Sequence, residues 1–167
     1  AVEEDDARLA RAAGRPCFNL DAFLMDDAAL AHCSSDAVQG ADIAIVEGNK
    51  GLYDGLALDG SNSNAALARR LNLPVLLVID ARGMTRGIAP LILGFQAFDR
   101  RIRIAGVVLN QVGGSRHEAK LRAVIEHYTD VPVLGALAHE PALGMNERHL
   151  GLTPSIELDD AAQRISR

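Results

Sequence analysis

Two acidic residues flank a glycine-rich segment in the first third of the chain. The apolar run 43–46 is followed directly by Glu47, and Asp54 lies farther along the same glycine-punctuated segment. A short apolar run bounded by turn residues is typical of a buried strand, and parallel sheets bind ligands where their strands end. Two carboxylates there suit Mg²⁺, which combines few protein ligands with waters and phosphates. The alternative is a strand that ends in a solvated Glu and an ordinary turn.

Two further apolar runs also end in residues that can contact a ligand. Asp80 ends the run 74–80, and Asn110 ends the run 103–110. A strand-end acid that caps the following turn is the alternative for Asp80. The amide of Asn110 offers one acceptor and two donors, although a turn residue that bonds its own backbone has the same appearance.

These side chains need strands and helices to position them. The sequence predicts strands at 41–46, 74–80, 103–110 and 132–137, and helices at 26–38, 63–72, 85–98 and from residue 115 onward. The run 74–80 shows no alternation, which predicts a strand buried on both faces. Strands that alternate with helices predict an α/β fold with a parallel sheet covered by helices on both faces.

Helix ends carry their own signals. Ser115 and Glu118 have the spacing of a capping box, and residues 61–64 are expected to cap the helix at 63–72. Pro90 is compatible with a helix only if it lies in the first turn. Leu121 and Ile125 belong to the predicted buried stripe of the last helix, with Val124 and Tyr128.

Composition excludes several classes of protein. Hydrophobic residues make up 49% of the 167 residues without any run long enough for a membrane helix, and the acidic start cannot be a secretion signal. Cys17 and Cys33 form no metal or disulfide pattern. The net charge of −5 with scattered basic residues argues against nucleic-acid binding. A single-domain cytoplasmic protein without membrane contact is predicted.

Several blocks of the sequence together resemble one family, the cobyrinic acid a,c-diamide synthases. The blocks lie at residues 14–16, 19–21, 46–48, 51–55, 80–81, 83–84, 106–113 and 147–152. The resemblance implies a three-layer sandwich of the dethiobiotin synthetase-like, phosphate-loop nucleotide-binding fold. It also implies ATP- and Mg²⁺-dependent amidation of tetrapyrrole carboxylates through acyl phosphates, with ammonia from glutamine.

The resemblance assigns roles to individual residues. Glu47 and Asp54 are expected to be catalytic and to hold Mg²⁺. Asn110 is expected to contact the adenine of ATP, and Gly48 is also expected to bind the nucleotide. The expected tetrapyrrole contacts are Asp21, Asp80, Arg82, Thr85 and Arg86. For Arg82, Thr85 and Arg86, the alternative is that they only form a solvated loop and the start of a helix. His32, His117, His127 and His139 are expected to be surface or structural residues, whereas His149 lies in a family motif of underived role.

The chain also departs from the family pattern. A phosphate loop of the form G-x-x-x-x-G-K-[ST] and a glutaminase domain are both absent, and the first βα unit is expected to be missing. We therefore expect an internal piece of a longer enzyme, inactive alone and prone to self-association as a homo-oligomer. Its expected parts are a substrate-side segment at 1–40, the synthetase core at 41–153 and a linker toward the glutaminase domain at 154–167.

Two alternatives stay open at this point. Residues 49–50 and 59–64 are more similar to related amidases that are thought to act on siroheme, another polycarboxylated tetrapyrrole. A protein of another class, a non-catalytic nucleotide-binding scaffold of the partition-ATPase type, has the same general fold. It leaves the family blocks at both ends of the chain unexplained.

Overall fold

The computed structural model describes residues 9–140 and two short backbone strands, β4 (Glu147–Arg148) and β5 (Gly151–Leu152), which pair antiparallel. The chain divides into two compact units, one of residues 48–140 and one of residues 1–47 with 141–167. His149 and the segment 154–167 lie outside the described residues. The domain boundaries expected from the sequence stay a prediction.

The unit of residues 48–140 is built on a parallel sheet. Its strands are β1 (Val75–Asp80), β2 (Ile104–Val112) and β3 (Val133–Ala138), in the order β1-β2-β3. Helices α2 (Asn64–Arg70), α3 (Ile88–Phe98) and α4 (Ser115–Tyr128) connect or flank them, and α1 (Asp27–Val38) belongs to the other unit. The predicted α/β class with a parallel sheet is confirmed. Within the described part, no helix has the length and apolarity that a membrane crossing requires.

The core of this unit lies on one face of the sheet, against α3 and α4. Leu77 and Ile79 of β1 belong to a buried cluster with residues of β2 and of both helices: Ile88, Ile92, Val107, Leu109, Leu121 and Ile125. The opposite side of β1 is open, because Leu76 is 49% and Val78 is 63% exposed. The expectation that β1 is buried on both faces is therefore wrong. The self-association expected from such apolar surface stays a prediction.

On the open face of the sheet, the close approach of one side chain explains why residue 106 is a glycine. Leu134 of β3 lies over Gly106 of β2, so that a Cβ atom at Gly106 would stand only 2.5 Å from the Leu134 Cδ1 atom. A larger residue at this position would displace Leu134 from the sheet surface. The glycine thus allows β2 and β3 to keep their side-chain packing here.

The predicted strand at 41–46 does not form. Residues 41–46 lie outside the strands of the structure, and Ile43 and Ile45 are 79% and 87% exposed. A strand exists only where a neighbouring strand accepts and donates its backbone hydrogen bonds. Among the described residues β1 pairs only with β2, so apolar composition alone did not create a strand at 41–46.

Most helix starts follow the sequence signals, although α3 begins at Ile88 and not at the predicted residue 85. Ser63 caps α2 through its side-chain oxygen and Pro90 lies in the first turn of α3, as predicted. The structure adds Asp26, whose side-chain oxygen caps α1. The prediction of a capping box at the start of α4 is wrong. Gly114 is the N-cap residue with φ of 124°, a conformation that favours glycine, and Ser115 is already helical. Glu118 instead accepts a 2.7 Å hydrogen bond from Arg122.

An ion-pair cluster links α2 to the end of α3. The Asp99 carboxylate accepts hydrogen bonds from Arg101 at 2.9 Å and from Arg69 at 2.6 Å. These guanidinium groups, Arg101 first, hold the pKa of Asp99 well below its usual value. The resulting stabilisation is present above the unfolded pKa of about 3.9 and is lost as the pH falls below it.

Replacing Asp99 with Asn is therefore expected to lower the melting temperature at pH 7. The variant should also lose less stability than the unmodified chain when the pH is lowered from about 5 to about 3. Circular dichroism melting curves at several pH values measure both effects. Glu126→Gln, which changes an exposed carboxylate on α4, is the matched control. Parallel pH curves for the unmodified chain and the Asp99 variant would contradict the assignment.

Candidate functional site

The glycine-rich segment that carries Asp54 is tied to the N-terminus of α2. The Ala65 backbone N–H donates to the Leu52 carbonyl at 2.8 Å, and the Asn64 side-chain amide donates to the Lys50 carbonyl at 2.9 Å. Asn64 also approaches Gly48 so closely that a Cβ atom there would lie 2.8 Å from its Nδ2 atom. The polar run 59–64 thus folds back to hold the loop of residues 48–64.

Tyr53 anchors the same loop to α3. Its hydroxyl donates to the Phe95 carbonyl at 2.8 Å, and its ring lies 4.7 Å from the Phe98 ring and 5.8 Å from the Phe95 ring. Burial, and then the nearby Asp99 carboxylate, raises the pKa of Tyr53 above its usual value. The residue directly before Asp54 is therefore fixed on both its polar and its apolar sides.

The Asp54 carboxylate lies across a tight turn. The Asp54 N–H donates to the Gly51 carbonyl at 3.0 Å, and a Cβ atom at Gly51 would stand 2.2 Å from the Asp54 Oδ2 atom. Asp54 is exposed, so its oxygens can receive a ligand from solvent. Residues described by the structure contain no group of three or more His, Cys, Asp or Glu able to hold a metal. One exposed carboxylate on an anchored loop fits Mg²⁺ only where waters and phosphates supply the other ligands.

Glu47 is the other acid that the sequence predicts for metal binding. It is exposed and follows the non-strand segment 43–46 in the other compact unit. Its pairing with Asp54 stays a prediction.

Asp80 and Asn110 lie side by side at the carboxyl edge of the sheet. They are register partners, and the Ala81 N–H donates to the Asn110 carbonyl at 2.8 Å. Asp80 ends β1 as predicted, whereas β2 continues past Asn110 to Val112 and the expected strand end at Asn110 is wrong. Arg82 donates from Nε to both Asp80 oxygens at 2.9 and 3.0 Å, and the Arg82 bonds lower the pKa of Asp80. The carboxylate is therefore kept ionised and paired, as expected for an acid that closes the turn after a strand.

Asn110 also bonds its own backbone. Its Oδ1 atom accepts the Gln111 N–H at 2.9 Å, and Gln111 has a left-handed φ of 60°. The side-chain NH₂ group of Asn110 keeps two donors for a ligand. The structure adds Gln111 and His139, which the sequence did not single out: the Gln111 Oε1 atom accepts a hydrogen bond from His139 Nδ1 between the ends of β2 and β3. The position of Gln111 directly after Asn110 was the only local signal for this pair.

Other predicted contact residues have structural partners. Asp21 Oδ1 accepts the backbone N–H groups of Phe23 and Leu24 at 2.8 and 3.2 Å, which closes a turn. The Arg86 guanidinium lies 5.3 Å from the centre of the Tyr128 ring, a cation–π contact with α4. Thr85 is exposed in the loop before α3. The structure thus brings Asp80, Arg82 and Asn110 together and gives Asp21 and Arg86 other contacts.

Removing the Tyr53 hydroxyl tests how the Asp54 loop is held. Tyr53→Phe is expected to reduce the free energy of unfolding by about 1 kcal/mol, because the Phe95 carbonyl loses its donor. Urea unfolding measures this change, and faster amide exchange at residues 52–54 is expected with it. Tyr128→Phe, at an exposed ring on α4, is the control and should be near neutral. Equal losses in the two variants would show that the hydroxyl does not anchor the loop.

Comparison with known proteins finds one matching family model and several similar synthases. A family model described as an AAA domain matches residues 22–147. The cobyrinate a,c-diamide synthase of Methanosarcina acetivorans is 47% identical over 148 residues, which are 86% of this chain and 30% of that protein. The synthase of the same name from Magnetococcus marinus is 44% identical over 92% of this chain and 33% of its own length.

A third relative carries a slightly different name. The hydrogenobyrinate a,c-diamide synthase of Brucella anthropi is 46% identical over 93% of this chain and 36% of its own length. The chain therefore spans about a third of the length of these curated relatives. The resemblance drawn from the sequence blocks is confirmed.

Proposed function

The chain belongs to the AAA-domain family, and on that premise we propose that it forms the nucleotide-side core of an ATP-dependent, tetrapyrrole-amidating ligase. The observation that carries this proposal is the Asp54 loop, which α2 and Tyr53 hold with its carboxylate open to solvent. The similarity to named a,c-diamide synthases along most of the chain supports the same reaction class.

The proposed chemistry has two displacement steps. A substrate carboxylate oxygen attacks the γ-phosphorus of ATP and the bond to ADP breaks, which leaves an acyl phosphate. The ammonia nitrogen then attacks the acyl carbon, phosphate leaves, and the nitrogen loses a proton to give the amide. Phosphoryl transfer of this kind depends mainly on positioning and charge neutralisation.

Individual residues take defined parts in this scheme. Asp54 and Glu47 would hold Mg²⁺, which neutralises charge on the phosphates when bound. The Asn110 NH₂ group would donate to the adenine ring, with Gly48 close to the nucleotide. Arg82, already paired with Asp80, would present its outer N–H groups to a substrate carboxylate. We assign the phosphate loop and the release of ammonia from glutamine to parts of the full-length relatives outside the matched third.

Cobyrinate is the substrate we favour over siroheme. The residues that suggested siroheme, 49–50 and 59–64, have a structural explanation, because Asn64 bonds Lys50 and Ser63 caps α2. The loop architecture therefore accounts for these residues without a change of substrate. The names of the relatives also contain cobyrinate or hydrogenobyrinate.

A chimeric enzyme tests the proposal. The segment of the Methanosarcina acetivorans synthase that aligns with this chain is replaced by the chain itself, and the product is incubated with ATP, Mg²⁺, glutamine and either tetrapyrrole. We expect ATP-dependent amide formation on cobyrinate, detected by mass spectrometry. Amidation of siroheme alone would overturn the substrate assignment. Nucleotide binding without any amidation would favour the scaffold alternative.

A further inference from the structure

His117 bonds two different loops through its two ring nitrogens. It lies in the first turn of α4, where Nδ1 accepts the Gly113 backbone N–H at 3.1 Å. Its Nε2 atom lies 2.6 Å from the Met84 carbonyl oxygen. A carbonyl oxygen only accepts and a backbone N–H only donates, so the ring must carry its proton on Nε2 and a lone pair on Nδ1. Only the neutral imidazole in this one tautomer makes both bonds.

The two loops are those that follow the neighbouring strand ends. Met84 lies in the turn after β1, where its N–H donates to the Ala81 carbonyl at 3.0 Å, and Arg82 occupies the same turn. Gly113 follows the Asn110–Gln111 pair at the end of β2. The ring therefore connects the loop of Arg82, which follows β1, with the loop at Gly113, which follows the Asn110–Gln111 pair at the end of β2.

Helix formation alone does not account for these bonds. Gly114 begins α4 without any side-chain cap, and the Met84 carbonyl is far from His117 in the chain. A residue that served only the helix would bond the first turn of that helix. The imidazole instead uses its Nε2 atom to bond a segment outside α4, the turn after β1.

We propose that His117 is a positioning residue, whose neutral Nε2–H tautomer sets the spacing between the Arg82 loop, which follows β1, and the Gly113 loop, which follows the Asn110–Gln111 pair of β2. Ligand groups that contact Arg82 and Asn110 together would then meet donors at a fixed separation. The identity of that ligand rests on the proposed function, whereas the coupling of the two loops does not.

Two substitutions of His117 each remove one of its two hydrogen bonds and keep the other. His117→Asn keeps an acceptor near the Nδ1 position and loses the donor to Met84, whereas His117→Gln keeps a donor near the Nε2 position and loses the acceptor for Gly113. His127→Asn on the same helix is the matched control, because the described contact of that ring is edge-on with Tyr128.

Nuclear magnetic resonance of the ¹⁵N-labelled 167-residue chain measures the result. In the unmodified chain at neutral pH, we expect His117 to be protonated on Nε2 alone. The Asn variant should shift the Thr85 amide and spare Gly113, and the Gln variant should do the reverse. Both should shift the Arg82 Nε–H and Gln111 N–H signals, whereas the control should shift neither.

Protonation of His117 on Nδ1 in the unmodified chain would overturn the proposal. Variants that leave the Arg82 and Gln111 signals in place would also overturn it. If a variant fails to fold, the tautomer and slow Gly113 amide exchange in the unmodified chain remain decisive. These measurements use no nucleotide or tetrapyrrole. An inactive chimera with the expected spectra would therefore count against the proposed function and leave the role of His117 intact.

Discussion

Replacing Asp54 with Asn in the chimeric enzyme is expected to lower kcat for amidation by about 10²-fold or more. The amide side chain has nearly the shape of the carboxylate, so the turn over Gly51 is expected to persist. It lacks the negative charge that would hold Mg²⁺ against the phosphates of ATP. The loss therefore reports charge at this position rather than the shape of the loop.

A neighbouring acid in the same loop provides the control. The Asp59 carboxylate accepts the Ser61 N–H at 2.9 Å, a turn interaction that Asn also makes. Asp59→Asn in the chimera is expected to retain kcat within about 3-fold of the unmodified chimera, since this surface turn should be preserved. Initial rates at saturating ATP and cobyrinate measure both variants. An Asp54 variant as active as the Asp59 variant would remove Asp54 from the proposed machinery.

Replacing Ile92 with Ala is expected to destabilise the chain by about 2–5 kcal/mol. Ile92 is fully buried in the cluster that joins α3 to the sheet and to α4. The substitution removes apolar contacts and leaves a cavity, in a domain whose total stability is on the order of 5–15 kcal/mol. The variant is therefore expected to unfold at a much lower urea concentration.

Leu93 is the matched control for this prediction because it lies on the same helix and is 42% exposed. Leu93→Ala is expected to cost less than about 1 kcal/mol. Urea unfolding followed by circular dichroism compares the two variants at equal chain concentration. Similar midpoints for the two variants would contradict the placement of the core on the α3 face of the sheet.

Local sequence signals predicted most elements of the fold. Apolar runs located the three strands of the parallel sheet to within two residues, and Ser63 marked the start of α2. The prediction of a strand at 41–46 was wrong, because strand formation depends on a neighbouring strand that the apolar run itself does not encode. The exposure of Val78 likewise depends on what covers the sheet, although every residue before Asp80 in β1 is apolar.

The residue types of the candidate site were predictable, but their partners were not. Asp80 was correctly placed at a strand end, whereas its pairing with Arg82 depends on the turn geometry after β1. The sequence interpretation treated His117 and His139 as surface or structural residues. Their contacts with Met84 and Gln111 join segments distant in the chain, which residue spacing does not reveal.

Isotope transfer in the chimeric enzyme tests the central claim most directly. Cobyrinate labelled with ¹⁸O in its carboxylates is incubated with ATP, Mg²⁺ and glutamine, and the released phosphate is analysed by mass spectrometry. An acyl phosphate intermediate requires one ¹⁸O atom in the phosphate for each amide formed, and this is the result we expect. Amide formation with unlabelled phosphate, or ATP hydrolysis without any amide, would contradict the proposal that this chain is part of an ATP-dependent amidating ligase.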